Sequence, residues 1–372
     1  SDCPNLESIV FGDNAKLGII EENAFKDHTK LSKVAFGKNS VLHTIYDYSF
    51  QGCTSLTSIE IPSSINLLGR SAFEGCSELP SFVVPEGVTS IGNSTFKDCT
   101  SLNYAPELPA TVLTDHCYES MFEDCSSLVT APELPATTLG EECYENMFFW
   151  CSSLVTPPSI IPASFIPYMA CCHMFDECVS LEYTPKLPAT TLSESCYDTM
   201  FWWCTSLISL PELPATTLEA QCYAMMFYDC SNIKLSTTRT WDYQIPYIIP
   251  PTQDGTSATE ALWLMFQDTW WAFTWTPTIN TEYYLSTDNE IVWDFDYLCF
   301  TANTGGSTIQ FNGSSSHNIN MPQLQYSYDK ESWTDYYCDS YWGSEIVTLT
   351  NVWDKVYFRN KSKTIVSYNT SY

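Results

Sequence analysis

Apolar positions along this chain recur with a period far longer than that of a helix or a single strand. The pattern Phe-x-x-Cys-x-x-Leu places its Cys at Cys53, Cys76, Cys99, Cys125, Cys151, Cys178, Cys204 and Cys230, and Cys3 and His28 extend the register to the N-terminus. Successive anchors are 25, 25, 23, 23, 26, 26, 27, 26 and 26 residues apart. Units of this size cannot bury an apolar face alone, so they stack and share one continuous core. In the first half, Leu56, Ile59 and Ile61 space out a short strand that Pro62 ends, because Pro cannot donate to a continuing ladder. From about Leu102 the units lengthen to Ala131-Pro-Glu-Leu-Pro-Ala-Thr-Thr-Leu139, followed by Cys143-Tyr144-x-x-Met147-Phe148-x-x-Cys151. The insertion lies between strand and turn, where added length costs little entropy. Ten coils at about 4.8 Å each predict an array on the order of 45–50 Å long.

After Cys230 the register decays. Ala261–Thr269 reads as a worn copy with Thr at the anchor, as the end of a solenoid requires. From Tyr283 the texture changes to short strands and Gly/Ser/Asn turns, with strands expected at Ile291–Phe300, Leu324–Tyr328, Ile346–Leu349, Lys355–Phe358 and Thr364–Tyr368. The resulting division is a solenoid over 1–240, a degenerate capping coil and linker over 241–282, and a small β-sandwich over 283–372.

Coils such as Cys53-Thr-Ser-Leu-Thr-Ser-Ile-Glu-Ile-Pro62, with Ile65 and Ser71-Ala72-Phe73 behind them, closely resemble the BspA-like leucine-rich repeats of bacterial surface proteins. The longer Leu-Pro-Ala-Thr-Thr-Leu-x3-Cys-Tyr-x-x-Met-Phe-x-x-Cys coils resemble a relative of gut bacteria and their phages. The resemblance covers roughly residues 1–235. It implies a mainly β fold, a leucine-rich-repeat solenoid of about ten coils, and a cell-surface, secreted or virion-surface protein engaged in adhesion. Leu324–Tyr336 resembles the Tyr-Ser-x-Asp-Gly-x-x-Trp modules that accompany such repeats. Fold-level likeness names no ligand.

The formal charge of −29 and pI of about 4.2 make phosphate backbones and anionic lipid poor partners. No apolar run is long enough to span a bilayer. The chain opens inside a repeat and reads as a mature or trimmed piece of a longer protein.

Of the 17 cysteines, nine share the anchor position and Cys117, Cys143, Cys196 and Cys222 share a second, eight residues earlier. Stacked columns of this kind suit small buried thiols, and on that reading Cys151→Ser puts a hydroxyl into an apolar slot. Disulfides within or between coils stay open as the alternative, with Cys299 and Cys338 a separate candidate pair. Finger spacing is missing, so no metal and no cofactor are expected. The sequence carries no G-x-S-x-G, H-E-x-x-H or dinucleotide fingerprint, so no catalytic residue is assigned and no enzyme is expected. His28 reads as a packed substitute for Cys, and His116 and His173 as solvated. Asp329, Glu331, Asp335 and Asp339 form the densest acidic cluster and lack a calcium-loop pattern.

The aromatics mark the most informative departure from the repeat. The two residues before the anchor are usually small or acidic, yet they become Phe149-Trp150, Trp202-Trp203 and Tyr228-Asp229 in three coils. Asp and Gly in sister coils imply a water-facing position, so Phe149, Trp150, Trp202, Trp203 and Tyr228 are the candidate binding residues: two aromatic patches about a notch at Asp176-Glu177. Packing against a neighbouring loop is the other reading of the same residues. The Tyr column (Tyr118, Tyr144, Tyr197, Tyr223) reads as structural. The expected function is recognition of a protein or glycan on a host or neighbouring cell, with a structural spacer or particle component as the alternative. Nucleic acid and membrane insertion are not expected, and the oligomeric state is left open.

Overall fold

The computed structural model describes residues 3–240 apart from 86 and 89, then 243–248, 258–269, 276–278 and 281–286, and beyond these only the backbone of strands between 298 and 360. The chain divides into two compact units, 1–289 and 290–372. No helix occurs among the described residues.

In the first unit, short strands stack in parallel from coil to coil. β1 (Ser8–Phe11), β3 (Lys33–Phe36) and β5 (Ser58–Glu60) form one ladder, and β2 (Ile19–Ile20), β4 (Thr44–Ile45), β6 (Leu67–Leu68) and β7 (Ser90–Ile91) form a second. The lengthened coils thin the first ladder to single bridges at Ser81, Tyr104, Thr130 and Thr156. At least two prolines per lengthened coil explain this, since each removes an N–H from the edge that must pair. The second ladder persists as bridges and as β8 (Phe165–Ile166) beside β9 (Thr191–Leu192). β10 (Leu235–Ser236), β11 (Tyr243–Ile248) and β12 (Glu282–Ser286) form an antiparallel sheet in the order β10-β12-β11, so β12 belongs to the first unit.

Opposite the strands, each coil closes through overlapping turns. In the coil of Cys125, the N–H groups of Tyr118, Ser120, Phe122 and Asp124 donate to carbonyls of the next coil, while those of Cys117, Glu119, Met121 and Glu123 close turns three residues back. From Cys117 to Asp124 every backbone donor therefore finds a partner without a strand. The fold places the repeat's Phe at the centre. Phe25, Phe50, Phe73, Phe96, Phe122, Phe148, Phe175, Phe201, Phe227 and Phe266 stack consecutively at 5.2–5.9 Å. Phe266 extends the column, so the worn copy at Ala261–Thr269 packs as a full turn.

The described cysteines are free thiols, and all are buried except Cys3 and the half-buried Cys117. The anchor slot is not purely apolar, however. Each anchor thiol from Cys53 to Cys230 donates to the carbonyl of the Phe one coil earlier, as Cys151 does to Phe122 at 3.1 Å and Cys230 to Phe201 at 3.0 Å. Thr269 fills the same slot with a hydroxyl that donates to the Phe266 carbonyl at 2.9 Å. Cys151→Ser is therefore expected to cost about 1 kcal/mol or less, not the ~1–3 kcal/mol of a partnerless buried hydroxyl. Urea unfolding measures this, and a loss above about 2 kcal/mol would mean that the shorter side chain misses its acceptor. His28 occupies the anchor slot of its coil, buried, with its ring edge on Phe25. Tyr118, Tyr144, Tyr197 and Tyr223 are buried as a column, interrupted where Cys171 takes the Tyr position.

In the second unit, β13 (Leu298–Thr301), β14 (Ser307–Ile309), β15 (Leu324–Ser327), β16 (Thr334–Tyr336), β17 (Cys338–Asp339), β18 (Gly343–Ser344), β19 (Val347–Leu349) and β20 (Lys355–Asn360) pair antiparallel. Four form a sheet in the order β13-β20-β15-β16, and the others pair as β14-β19 and β17-β18. The packing of these strands into a small sandwich, a Cys299–Cys338 pair and the acidic cluster at Asp329–Asp339 rest on side chains outside the described residues.

Candidate functional site

The backbone explains the residue preferred before each anchor. That position adopts a left-handed conformation in coil after coil: φ is 71° at Gly52 and Gly75, 59° at Asp98, 60° at Asp124 and 57° at Asp229. Gly and Asp tolerate such φ values best, so their recurrence reports backbone geometry as well as exposure. Trp150 and Trp203 occupy the same position at φ 61° and 59°. A bulky side chain there is strained by about 1 kcal/mol or more. Both indoles nevertheless project outward, 45% and 49% exposed.

Phe149, Trp202 and Tyr228, one residue earlier in their coils, are half-buried. The structure links them into one row. Trp150 stacks on Phe149 at 5.5 Å, Phe149 meets the edge of His173 at 6.4 Å, His173 faces Trp202 at 6.4 Å, and Trp202 packs on Tyr228 at 5.4 Å. Gln267 of the last coil donates to the Tyr228 hydroxyl at 3.0 Å. The notch expected between two patches is therefore filled. Asp176 is buried and accepts a 2.8 Å hydrogen bond from His173, whose ring bridges the gap. His173 is only partly solvated, with 32% of its side chain exposed, whereas His116 is largely exposed, between Glu119 and Glu142 at 3.1 and 3.2 Å. His173 and Gln267 escape a reading of the anchor columns because they reach the row from other positions or from a coil 39 residues away.

Carboxylates surround the row. Burial pushes Asp198 up to about 6, against the opposing pull of His173. Burial raises Glu145 to about 7, helped by Glu142 and Glu119. A carboxyl raised above its ordinary value of 4.5 stabilises the fold fully below that value and loses the contribution as pH climbs through about 7. Glu145→Gln is accordingly expected to raise Tm at pH 8 and to leave it nearly unchanged at pH 4, as thermal melts at both pH values would show. An equal change at both would mean that Glu145 titrates in the ordinary range.

The buried thiols are poor nucleophiles. Burial pushes Cys53, Cys143 and Cys222 up to about 12, which keeps them protonated and inert. Among the described residues no group of three or more His, Cys, Asp or Glu is placed to hold a metal ion. Flat aromatic faces beside carboxylates suit recognition.

Residues 1–129 match, in six copies, the family described as BspA type Leucine rich repeat region. This part of the chain is a BspA-type leucine-rich repeat region. The aromatic row lies beyond it, in the lengthened coils that continue the stack. Among solved structures, the chain is similar to a leucine rich cell surface protein from Faecalibacterium prausnitzii A2-165, with 25% identity, a TM-score of 0.40, and 61% of this chain and 65% of that one covered. A leucine-rich repeat protein from Bacteroides ovatus is 21% identical with a TM-score of 0.31, over 60% of this chain and 71% of that one. The leucine rich repeat protein of T. pallidum is 24% identical with a TM-score of 0.31, over 40% of this chain and 78% of that one. No curated protein matches the chain. No helix among the described residues is long and apolar enough to cross a membrane.

Proposed function

We propose that the protein is a non-enzymatic extracellular recognition and adhesion module that engages a protein or glycan through the aromatic ridge of its solenoid. One observation carries this reading. Trp150 and Trp203 hold large exposed indoles at left-handed backbone positions that sister coils give to Gly, Asp or, once, Glu. A bulky, outward side chain at a strained surface position points to a role beyond packing, and Trp is among the side chains most enriched in binding hot spots. The BspA-type region supports the same reading, because repeat arrays of this kind present extended binding surfaces.

The test is Trp150→Ala with Trp203→Ala in the full chain, assayed on immobilised extracellular glycoproteins before and after enzymatic removal of their sugars. Binding should fall at least tenfold while the fold survives, and loss of signal on deglycosylation assigns the glycan. Unchanged binding would leave the solenoid as a spacer.

A further inference from the structure

We propose that the ridge docks an arginine-bearing segment of a partner protein, with guanidinium groups stacked on the Trp150 and Trp203 indoles and paired to the carboxylates between and beside them. This rests on the ridge being the binding surface and names the chemistry of what it binds.

Three observations carry it. The first is the order of side chains along the left-handed column. On successive coils it reads Asp124, Trp150, Glu177, Trp203, Asp229 and Asp268, so each indole has a carboxylate on both sides, one coil step away. A planar cation is the ligand that uses both kinds of neighbour at once. Its face stacks on an indole, and its N–H groups donate to a carboxylate.

The second is charge. Lys186 is the only Lys or Arg between Ser101 and Cys230, against seventeen Asp and Glu. It sits on the strand side, bridged to Ile160, away from the turn-side column. The lengthened coils therefore supply aromatic and anionic surface with almost no cation of their own. A cationic partner complements that surface, and field focusing by so many like charges speeds its approach.

The third is that the N-terminal coils already make the contact internally. On their turn side, Lys26 lies 5.2 Å and Arg70 5.9 Å from the centroid of the Tyr48 ring. Tyr48 too has a left-handed backbone, at φ 56°, in a neighbouring turn column from that of the two Trp residues. The repeat thus satisfies a turn-side aromatic with its own cations where it has them. Around Trp150 and Trp203 it has none, and a partner's arginine would complete the same arrangement. Arginine fits better than lysine, because its guanidinium stacks flat and is more weakly hydrated.

The experiment uses the full chain and three synthetic nine-residue peptides in which Ser alternates with Arg, with Lys, or with citrulline, the neutral isostere of Arg. Calorimetry should show that the Arg peptide binds, the Lys peptide binds more weakly, and the citrulline peptide binds at least tenfold more weakly. Trp150→Ala with Trp203→Ala should lower affinity for the Arg peptide at least tenfold. Trp150→Asn with Trp203→Asn should do the same on a residue suited to left-handed backbone, which separates lost binding from lost folding. Glu177→Gln with Asp229→Asn should weaken binding severalfold, whereas Glu107→Gln with Glu212→Gln, on exposed carboxylates elsewhere, should not. Equal binding of the Arg peptide to the Trp variants would mean diffuse charge attraction and would overturn the proposal, as would no binding at millimolar peptide. If a neutral oligosaccharide binds instead and depends on the same Trp pair, the ridge stands and the cationic partner falls. If neither peptide nor sugar binding depends on the Trp pair, both readings fall.

Discussion

Phe148→Ala is expected to destabilise the first unit by about 3–5 kcal/mol, the range for emptying a fully buried aromatic slot. The Phe148 ring has no exposed surface and stacks on Phe122 at 5.7 Å and on Phe175 at 5.3 Å. Its carbonyl accepts the Cys178 thiol at 3.1 Å and the Cys151 N–H at 3.0 Å, so relaxation of the backbone to fill the hole would disturb two anchors at once. In a stack each coil is held by its neighbours, and loss of one ring weakens both interfaces. Relaxation is further limited because overlapping turns on either side fix the chain to the adjacent coils. Phe149→Ala, one residue on and half-buried, should cost less. Urea unfolding of the two variants checks the contrast. A cost below about 1 kcal/mol at Phe148 would mean that the column is loosely packed.

Trp203 and Trp202 should behave oppositely, although they are adjacent. Trp202 packs between His173 and Tyr228, so Trp202→Ala is expected to cost stability on the order of 1–3 kcal/mol. Trp203 is the outward indole at a left-handed position, so Trp203→Asn is expected to leave stability unchanged or raise it by about 0.5 kcal/mol. Binding to the glycoprotein panel should nevertheless drop by about 2 kcal/mol or more, as for an aromatic hot spot. Thermal melts and binding isotherms on the two single variants separate the roles. Should Trp203→Asn melt earlier than the parent, its indole packs for stability and the ridge reading loses its main support. The split also sharpens the sequence-level reading, in which all five aromatics formed one class of water-facing residue.

Much of this molecule is written in its period. Phe-x-x-Cys-x-x-Leu at 23–27-residue spacing is enough to expect stacked coils, buried thiols and a structural Tyr column, because a short apolar repeat can be buried only by its own neighbours. Even the worn copy at Ala261–Thr269 shows its place through Met265 and Phe266. What the period leaves open is lateral: which atoms of one coil meet which atoms of the next. The thiol of Cys151 finds a carbonyl 29 residues back, so a slot that composition marks as apolar holds a hydrogen bond. His173 closes the gap between Phe149 and Trp202 because the Asp176 carboxylate fixes its ring. Gln267 reaches Tyr228 across an insertion that breaks the register. The recurring Gly and Asp before the anchor read as exposure in the sequence, while the folded backbone shows that they also answer a left-handed φ. Side-chain order along the chain follows from the sequence alone. Contact between coils, and the left-handed backbone beneath Trp150 and Trp203, arise only when the turns stack.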